Sequence, residues 1–334
     1  MQEALFYQQE GEQSLRCNLC PHHCLLKEGQ TGICGVRKAE GNKLYSMNYG
    51  EVSSKAVDPI EKKPLYNFYP HADVFSVGTR GCNFKCPYCQ NWRISQEKPP
   101  VEKFSPHEVV TMALQRDCSL IAYTYSEPLV WYEFVRETAE LAAEKGILNV
   151  LVTNGYINQQ PLLELLPFID AANVDLKAAD DNFYLEYCQG ERKPVLETIK
   201  KMASEIHLEI TTLVITDLND DSQKMGQLFE WISGLDPDIP LHLSRYFPNY
   251  QLKNSPTSLP KMKTLYTEAS RKLNYVYLGN TGLKEYNNTY CKQCQSEIIT
   301  RKRYQVINKL EKGSCPHCGH RIEGQLSKII SKNI

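Results

Sequence analysis

The stretch GCNFKCPYCQN at residues 81–91 carries three cysteines in the spacing C-x3-C-x2-C, at Cys82, Cys86 and Cys89. A closed structural metal site takes four protein ligands, and no fourth cysteine lies nearby in the sequence. Three thiolates would leave one iron of a [4Fe–4S] cluster without a protein ligand, and chemistry at a metal requires such an open position. The loop therefore predicts a catalytic iron–sulfur cluster.

The loop directly follows the first of a series of short apolar runs, which alternate with longer stretches of helical periodicity. The predicted strands are 73–77, 119–123, 148–153, 172–176, 208–215, 241–244 and 275–278. The predicted helices lie near 105–117, 128–145, 160–167, 193–205, 221–234 and 258–273. This alternation predicts an α/β fold of parallel units, a partial (β/α)6 barrel of the TIM type rather than a closed eightfold one.

Cysteine-rich segments flank the predicted barrel, which spans residues 73–286. Residues 1–72 hold an N-terminal metal-binding segment and a connector, AVDPIEKKPLYNFYP at 56–70, whose three prolines predict an ordered but irregular path. Residues 287–334 are predicted to form a C-terminal zinc ribbon with a basic tail.

Composition places the chain among globular proteins, since 42% of its 334 residues are hydrophobic and 23% are charged. The start, MQEALFYQQEGEQ, lacks a basic region followed by an apolar one, and no apolar run approaches the ~18 residues of a membrane span. We expect a cytoplasmic protein with no membrane partner. In that reducing compartment the 13 cysteines are expected as thiols or metal ligands. The isolated Cys118 and Cys188 are interpreted as small core residues.

Four cysteines near the C-terminus form two C-x2-C pairs separated by twenty residues: Cys291, Cys294, Cys315 and Cys318. Two such pairs supply four thiolates in a tetrahedral array, which closes the coordination of Zn²⁺ and leaves no position for chemistry. We therefore predict a structural zinc ribbon. The alternative is a pair of reduced turns without metal, but so short a segment would hardly stay folded without the ion.

A third group near the N-terminus also supplies four thiolates: Cys17, Cys20, Cys24 and Cys34. Four thiolates suit zinc, and they equally suit a closed iron–sulfur cluster. The sequence therefore allows either zinc or a second iron–sulfur cluster at this group. Because the group has no open position, we expect it to be structural or to relay electrons.

Polar side chains follow several predicted strands, where the functional groups of βα barrels gather. They are Tyr125-Ser126-Glu127 after the second strand, Asn154-Gly155 after the third, Asp175 and Lys177 at the end of the fourth, and His242 in the sixth. Each alone is equally well explained as a helix cap or a satisfied core group. Together at one rim they predict a binding site, and we include Asn154 among its cofactor contacts.

Several motifs together resemble the radical S-adenosylmethionine (SAM) proteins of the AmmeMemoRadiSam system, relatives of pyruvate formate-lyase activating enzymes. The motifs are CNLCPHHCLLKEGQTGICGVR, GTRGCNFKCPYCQNW, YTYSEP, VTNGY, NVDLKA and the terminal ribbon. In that family an aromatic residue, here Tyr88, precedes the third cysteine. The resemblance implies that the open iron chelates SAM, that one electron cleaves SAM to methionine and a 5′-deoxyadenosyl radical, and that this radical takes hydrogen from a substrate.

The resemblance also implies roles for the rim residues. Tyr125-Ser126-Glu127 stands where the activating enzymes have Gly-Gly-Glu, so Glu127, with Ser126 beside it, is expected to receive the methionine amino group. Asp175-Leu176-Lys177 matches their Asp-Leu-Lys. Lys177 is then expected to bind the methionine carboxylate. Asp175 is expected to order the site, either directly or through a monovalent cation. His242 corresponds to a histidine near the adenosine.

Partners are also implied by the resemblance: an electron donor such as flavodoxin or ferredoxin, a protein or peptide substrate, and the other proteins of the AmmeMemoRadiSam system. Nucleic acid is not an expected partner. The alternative reading is a zinc-dependent nucleic-acid or protein adaptor without catalysis. Residues 284–334 favour it, because ten Lys and Arg against four Asp and Glu give a net charge of +6. The three-ligand loop and the polar rim oppose it.

Overall fold

Eight strands form the central sheet of the computed structural model, which describes residues 1–302 and 305–322. They are β1 (Ser54–Pro59), β2 (Asp73–Gly78), β3 (Leu120–Tyr123), β4 (Leu148–Thr153), β5 (Ala171–Asp175), β6 (His207–Val214), β7 (Leu241–Arg245) and β8 (Val276–Gly279). Their order in the sheet follows the chain. Strands β2 to β8 are parallel, and β1 pairs antiparallel with β2. The predicted α/β fold with a mostly parallel sheet is confirmed.

Helices connect each parallel strand to the next, as the alternating pattern predicts. They are α1 (Pro106–Gln115), α2 (Tyr132–Glu144), α3 (Gln159–Leu165), α4 (Arg192–Glu205), α5 (Ser222–Leu235) and α6 (Leu259–Ala269). Helix α1 begins with the predicted capping box, in which Ser105 and Glu108 exchange hydrogen bonds and Pro106 takes the first helical position. Gly146, with φ of 71°, follows the end of α2.

Shorter elements complete the described part of the chain. Short helical segments are Ile60–Lys62, Trp92–Ser95, Pro128–Trp131, Leu166–Phe168, Asp181–Phe183, Tyr184–Cys188 and Lys284–Asn287. The small N-terminal strands are Gln2–Glu3, Tyr7–Gln9, Ser14–Cys17, Leu25–Lys27, Arg37–Glu40, Lys43–Ser46 and Glu51–Val52, the last of which pairs with Glu102–Lys103. The C-terminal strands are Thr289–Tyr290, Glu297–Lys302 and Gln305–Asn308.

Strand β1 corrects one prediction. Residues 56–59 belong to the segment for which the prolines predict an irregular path, yet they pair with β2 at the edge of the sheet. Proline is tolerated in an edge strand because no neighbour needs its missing N–H. The prolines therefore did not exclude a strand here.

The rest of the connector covers the N-terminal ends of the parallel strands. Ile60, Leu65 and Phe68 are buried against residues near the starts of β2 and β3. Inside the sheet, the Glu209 carboxylate accepts hydrogen bonds from the backbone N–H groups of Tyr66 (2.9 Å) and Asn67 (2.7 Å). The connector is thus held by a buried charge, and it closes the end of the sheet opposite the three-cysteine loop.

The C-terminal segment packs on the same end. Arg301 is buried, and its Nη2 donates to the carbonyl oxygen of Tyr66 at 2.6 Å. The hydroxyl of Tyr277 in β8 donates to Asn67 Oδ1 at 2.6 Å. The connector is therefore clamped between the sheet and the C-terminal segment. The last part of the predicted basic tail, residues 323–334, lies outside the described residues.

No helix in the described ranges combines the length and the apolar character that crossing a bilayer would require.

Candidate active site

A cavity of about 260 Å³ lies at the carboxyl ends of the parallel strands. Its walls come from the loops after β2, β3 and β4 and from the ends of β5, β6 and β7. The sequence-predicted residues that line it are Cys82, Cys86, Tyr88, Cys89, Ser126, Glu127, Asn154, Asp175 and Lys177. Tyr125 lines it as well, so the structure brings together every residue predicted for this rim except Gly155 and His242.

The three-cysteine loop is fixed where it leaves the sheet. Gly81 has φ of 97°, which favours glycine, and a Cβ built there would lie 2.8 Å from the carbonyl oxygen of Cys34. Asn83 Nδ2 donates to the carbonyl oxygen of Tyr156 at 2.7 Å. The loop is thus held between the N-terminal segment and the loop after β4.

The sulfur atoms of the loop face the cavity without closing on one another. Among the described residues, only the C-terminal cysteines bring three or more ligand atoms within 4.8 Å of one another, so Cys82, Cys86 and Cys89 are spread more widely than ligands of a single ion. The N–H of Phe84 is directed at Cys82 Sγ at 3.3 Å, and Ser95 Oγ lies 3.3 Å from Cys89 Sγ. Three separated thiols around one cavity fit a polynuclear iron–sulfur cluster with an open iron.

Cys188 is a neighbour of this loop that sequence reasoning missed. It is buried at the end of the segment Tyr184–Cys188, and its Sγ lies 3.4 Å from the hydroxyl of Tyr88. The neighbouring Cys188 thiol lowers the pKa of Cys86 to about 7, with help from the charge of Lys177, although burial opposes the thiolate. By contrast, burial raises the pKa of Cys82 and of Cys89. A single cysteine about a hundred residues away carries no signal of this contact.

Glu127 is buried and braces the loop after β4. Its carboxylate accepts hydrogen bonds from the N–H of Leu129 (2.9 Å), the hydroxyl of Thr153 (2.6 Å) and the N–H of Asn154 (2.8 Å). Burial raises the pKa of Glu127 to about 7, against the effect of these donors. Since a carboxylate has about four acceptor positions, one position remains for a ligand. Ser126, by contrast, donates its hydroxyl to the carbonyl oxygen of Thr79 at 2.7 Å.

Asn154 links two loops of the site. Its Nδ2 donates to Asn83 Oδ1 at 2.8 Å and lies 3.7 Å from Cys82 Sγ. Its Oδ1 accepts from the N–H of Tyr156 at 2.8 Å. The side chain therefore positions the cysteine loop, and it also reaches the cavity wall.

Asp175 and Lys177 form an ion pair on the cavity wall. Lys177 Nζ lies 2.6 Å from Asp175 Oδ2, and the two side chains are 15% and 34% exposed. Burial opposes the charge of Lys177, but Asp175 and Cys86 raise the pKa of Lys177 above its ordinary value. The ammonium group is therefore charged and directed at the cavity, where it can bind an anionic group.

His242 does not line the cavity, which corrects its predicted position. It shares a face of β7 with Ser244, which does line the cavity, because side chains two residues apart on a strand point the same way. The Tyr66 ring of the connector packs edge-to-face against the His242 ring, with 4.8 Å between their centroids, and His242 Nε2 donates to Glu209 at 2.6 Å. The path of the connector, which the sequence did not predict, separates His242 from the site. Further lining residues that were missed are Thr211, Leu213 and Ser244.

The two remaining cysteine groups differ from each other. In the C-terminal group, Cys291 Sγ lies 3.8 Å from Cys318 Sγ and Cys294 Sγ lies 3.7 Å from Cys315 Sγ. Tetrahedral ligation with bonds of about 2.3 Å places sulfurs about 3.8 Å apart, so this group could hold one metal ion. The N-terminal four, Cys17, Cys20, Cys24 and Cys34, instead line a small enclosed cavity.

Comparison with known proteins gives matches along the chain. Residues 76–229 match the Radical SAM superfamily. MJ0808, an uncharacterised protein of Methanocaldococcus jannaschii, is 41% identical over 336 aligned positions, which cover 97% of this chain and 99% of that protein. The pyruvate formate-lyase 1-activating enzyme of Escherichia coli (strain K12) is 28% identical over 46% of this chain and 65% of its own length. The crystal structure of Streptococcus suis SuiB bound to S-adenosylmethionine shares the fold with a TM-score of 0.52 and 12% identity, over 70% of this chain and 56% of that one.

Proposed function

The chain contains a radical SAM superfamily domain at residues 76–229, and on this premise we propose that it cleaves SAM reductively and abstracts hydrogen from a protein or peptide substrate, as an activating-enzyme-like oxidoreductase. The observation that carries the proposal is one cavity that contains three separated cysteine sulfurs, a charged lysine and a buried carboxylate with a spare acceptor position. The parallel strands would form the predicted partial barrel, and the cavity would lie at their carboxyl ends.

The residues that would hold the cofactors are Cys82, Cys86 and Cys89 for a [4Fe–4S] cluster, and Lys177 and Glu127 for the methionine end of SAM. When both groups are bound, the cluster supplies the electron that breaks the S–C5′ bond of SAM. Lys177 offers a positive charge for the carboxylate of SAM, and Glu127 offers its remaining acceptor position to the ammonium. These opposite charges orient the molecule. Asp175 would then lose its ion pair with Lys177, and a monovalent cation could take the place of the ammonium group beside Asp175.

Exclusion of water is the second task of the residues around the site, because a reactive intermediate would otherwise be quenched. The connector closes the far end of the sheet with buried apolar side chains such as Leu65 and Phe68. The segment after β7 covers the cluster loop, since the N–H groups of Gln251 and Leu252 donate to the carbonyl oxygen of Pro87 at 2.9 and 3.0 Å. Both features support chemistry in an enclosed cavity.

Lys177→Ala is expected to weaken SAM binding roughly 10- to 100-fold, because a charge-assisted hydrogen bond contributes about 1.5–3 kcal/mol. Calorimetry on the iron-loaded protein measures the affinity, and the iron content and absorption spectrum should stay unchanged. Lys200→Ala is the matched control, since Lys200 pairs with Glu197 on an exposed face of α4. Equal affinities of wild type and Lys177→Ala would contradict the role of Lys177.

The partners of the proposed reaction follow from the relatives. The name of the Escherichia coli relative identifies a protein, pyruvate formate-lyase, as its target, which supports a protein or peptide substrate here. A flavodoxin or ferredoxin would supply the electron in the cytoplasm, and the resemblance to AmmeMemoRadiSam proteins makes the other members of that system candidate partners. Anaerobic capture on the tagged chain, with SAM present and absent, would test these candidates. The proposal of a protein substrate fails if hydrogen is exchanged only with a small molecule.

We also propose that the C-terminal cysteines bind structural zinc. Cys294→Ser combined with Cys318→Ser is expected to remove one zinc per chain and to leave the iron content and SAM cleavage intact, because these two side chains are exposed while Cys291 and Cys315 are buried. Elemental analysis measures both metals. Cys118→Ser serves as the control for loss of a cysteine. An unchanged zinc content, or a loss of iron in the double variant, would refute the assignment.

A further inference from the structure

The four N-terminal cysteines surround a common cavity that the proposed reaction does not use. Cys17, Cys20, Cys24 and Cys34 all line it, together with the apolar Leu19 and Val130. All four are free thiols rather than disulfides. The proposed reaction requires a reducing environment, in which cysteines remain thiols. Four thiols around one enclosed cavity therefore indicate a metal site.

The spacing of the sulfur atoms selects the kind of metal centre. The C-terminal cysteines meet at 3.7 and 3.8 Å, as one ion requires, whereas no three of the N-terminal sulfurs lie within 4.8 Å of one another; all of them belong to the described part of the chain. Sulfur ligands of one zinc ion lie about 3.8 Å apart, because a zinc–sulfur bond is about 2.3 Å long. The wider spacing of the N-terminal sulfurs therefore favours a polynuclear cluster over one zinc ion.

We propose that Cys17, Cys20, Cys24 and Cys34 bind a second iron–sulfur cluster. The four protein ligands close its coordination, so the cluster stores and transfers electrons but does not bind SAM. Cys82, Cys86 and Cys89 are also too widely spaced for one ion. The N-terminal group therefore has the same kind of spacing as the cysteines proposed to bind the catalytic cluster.

The surroundings of the N-terminal sulfurs include groups that favour a thiolate. Burial raises the pKa of Cys20, Cys24 and Cys34, and neighbouring backbone N–H groups, such as those of His22 and Ile33, oppose this rise. The buried guanidinium of Arg37 reaches Cys17 Sγ at 3.9 Å and is paired with Glu133. Donors to cluster sulfurs stabilise the negative charge of the centre and adjust its reduction potential. Cys17 thus has a positively charged donor within the protein.

The second cluster would lie directly beside the catalytic loop. His22 Nε2 donates to the carbonyl oxygen of Asn83 at 2.7 Å, and Asn83 is the residue after Cys82. On the other side, the carbonyl oxygen of Cys34 packs against Gly81, the residue before Cys82. The two cysteine groups are therefore in contact through both neighbours of Cys82.

This contact gives the second cluster a role, and the role rests on the proposed function. A reduced flavodoxin or ferredoxin would transfer one electron to the N-terminal cluster, which is oxidised again when it reduces the catalytic cluster. No bond is made or broken in this step. The presence of the cluster itself does not depend on SAM cleavage, so the two proposals fail separately.

Metal analysis of the variant Cys82→Ala/Cys86→Ala/Cys89→Ala tests the proposal. After anaerobic reconstitution with iron and sulfide, we expect about two to four iron atoms per chain with matching sulfide, and an electron paramagnetic resonance signal after reduction. One zinc, from the C-terminal group, shows that this variant is folded. In the reciprocal variant, Cys17→Ala/Cys20→Ala/Cys24→Ala/Cys34→Ala, that signal should disappear while the signal of the catalytic cluster remains.

The full chain provides the second measurement, and its iron content does not depend on the folding of a variant. Wild-type protein is expected to hold more than four iron atoms, about six to eight, and its fully reduced spectrum should be broader than the sum of the two variant spectra because neighbouring clusters couple. The proposal is overturned if wild type binds only about four iron atoms, or if the Cys82/Cys86/Cys89 variant binds a second zinc or no metal at the N-terminal group. Spectra that simply add would contradict the contact between the clusters.

Discussion

Replacing Cys82, Cys86 and Cys89 together with alanine is expected to abolish the formation of 5′-deoxyadenosine from SAM under dithionite. All three sulfurs line the cavity that also contains Lys177, and no other cysteine in the wall of that cavity can replace a missing ligand within the described part of the chain. Without the cluster there is no electron donor at the sulfonium, so we expect a loss of at least about 10³-fold, to the background of the assay.

Chromatographic quantification of 5′-deoxyadenosine and methionine measures this loss. The control is Cys118→Ala, because Cys118 is buried at the end of α1, away from the cavity wall; it should retain wild-type turnover. The zinc content per chain is a second control, and it should remain at the wild-type level in the triple variant. If the triple variant still produces 5′-deoxyadenosine, the cysteines do not carry the chemistry.

The part of the site that could be predicted from sequence is the part encoded locally. The spacing C-x3-C-x2-C lies within eight consecutive residues, 82–89, and the parallel alternation places each later loop at the same rim. Seven residues predicted beyond the cysteines therefore line the cavity: Tyr88, Tyr125, Ser126, Glu127, Asn154, Asp175 and Lys177.

The features that the sequence could not predict depend on long-range contacts. Cys188 reaches Tyr88 through a helical segment that has no periodic signal. His242 was predicted at the rim from its place in the sixth predicted strand, but Tyr66 covers it, and these two residues are far apart in sequence. Periodicity reports which face of a strand a residue occupies, not which distant segment covers that face.

Glu209 is the residue for which this long-range packing has the largest expected effect on stability. Its side chain is fully buried, and its carboxylate accepts four hydrogen bonds, from the backbone of Tyr66 and Asn67 and from the rings of His207 (3.0 Å) and His242 (2.6 Å). The same residue thus holds both the connector and the histidine that was expected at the cofactor.

Glu209→Ala is expected to lower the free energy of unfolding by about 3–5 kcal/mol, because it leaves two buried and two half-buried donors without an acceptor. Urea unfolding of the metal-loaded protein measures the change. Glu197→Ala is the matched control, since Glu197 lies half-exposed on α4 and pairs only with Lys200 at the surface; it should cost at most about 0.5 kcal/mol. A loss in Glu209→Ala no larger than in the control would show that the connector is held by other contacts.

The acid dependence of stability offers a separate test of the same network. Burial opposes the charge of Glu209, but the hydrogen bonds from His207 and His242 hold the pKa of Glu209 at about 2, below its ordinary value of 4.5. Since the pKa is lower in the folded state, the stabilisation is present above about pH 4.5 and is lost as the pH falls towards 2. The difference in unfolding free energy between wild type and Glu209→Gln should therefore shrink as the pH falls below about 4.5. Metal loss in acid affects both proteins and cancels in this difference. A difference that stays constant down to pH 3 would mean that Glu209 contributes as a neutral acceptor, and that its charge does not hold the connector in place.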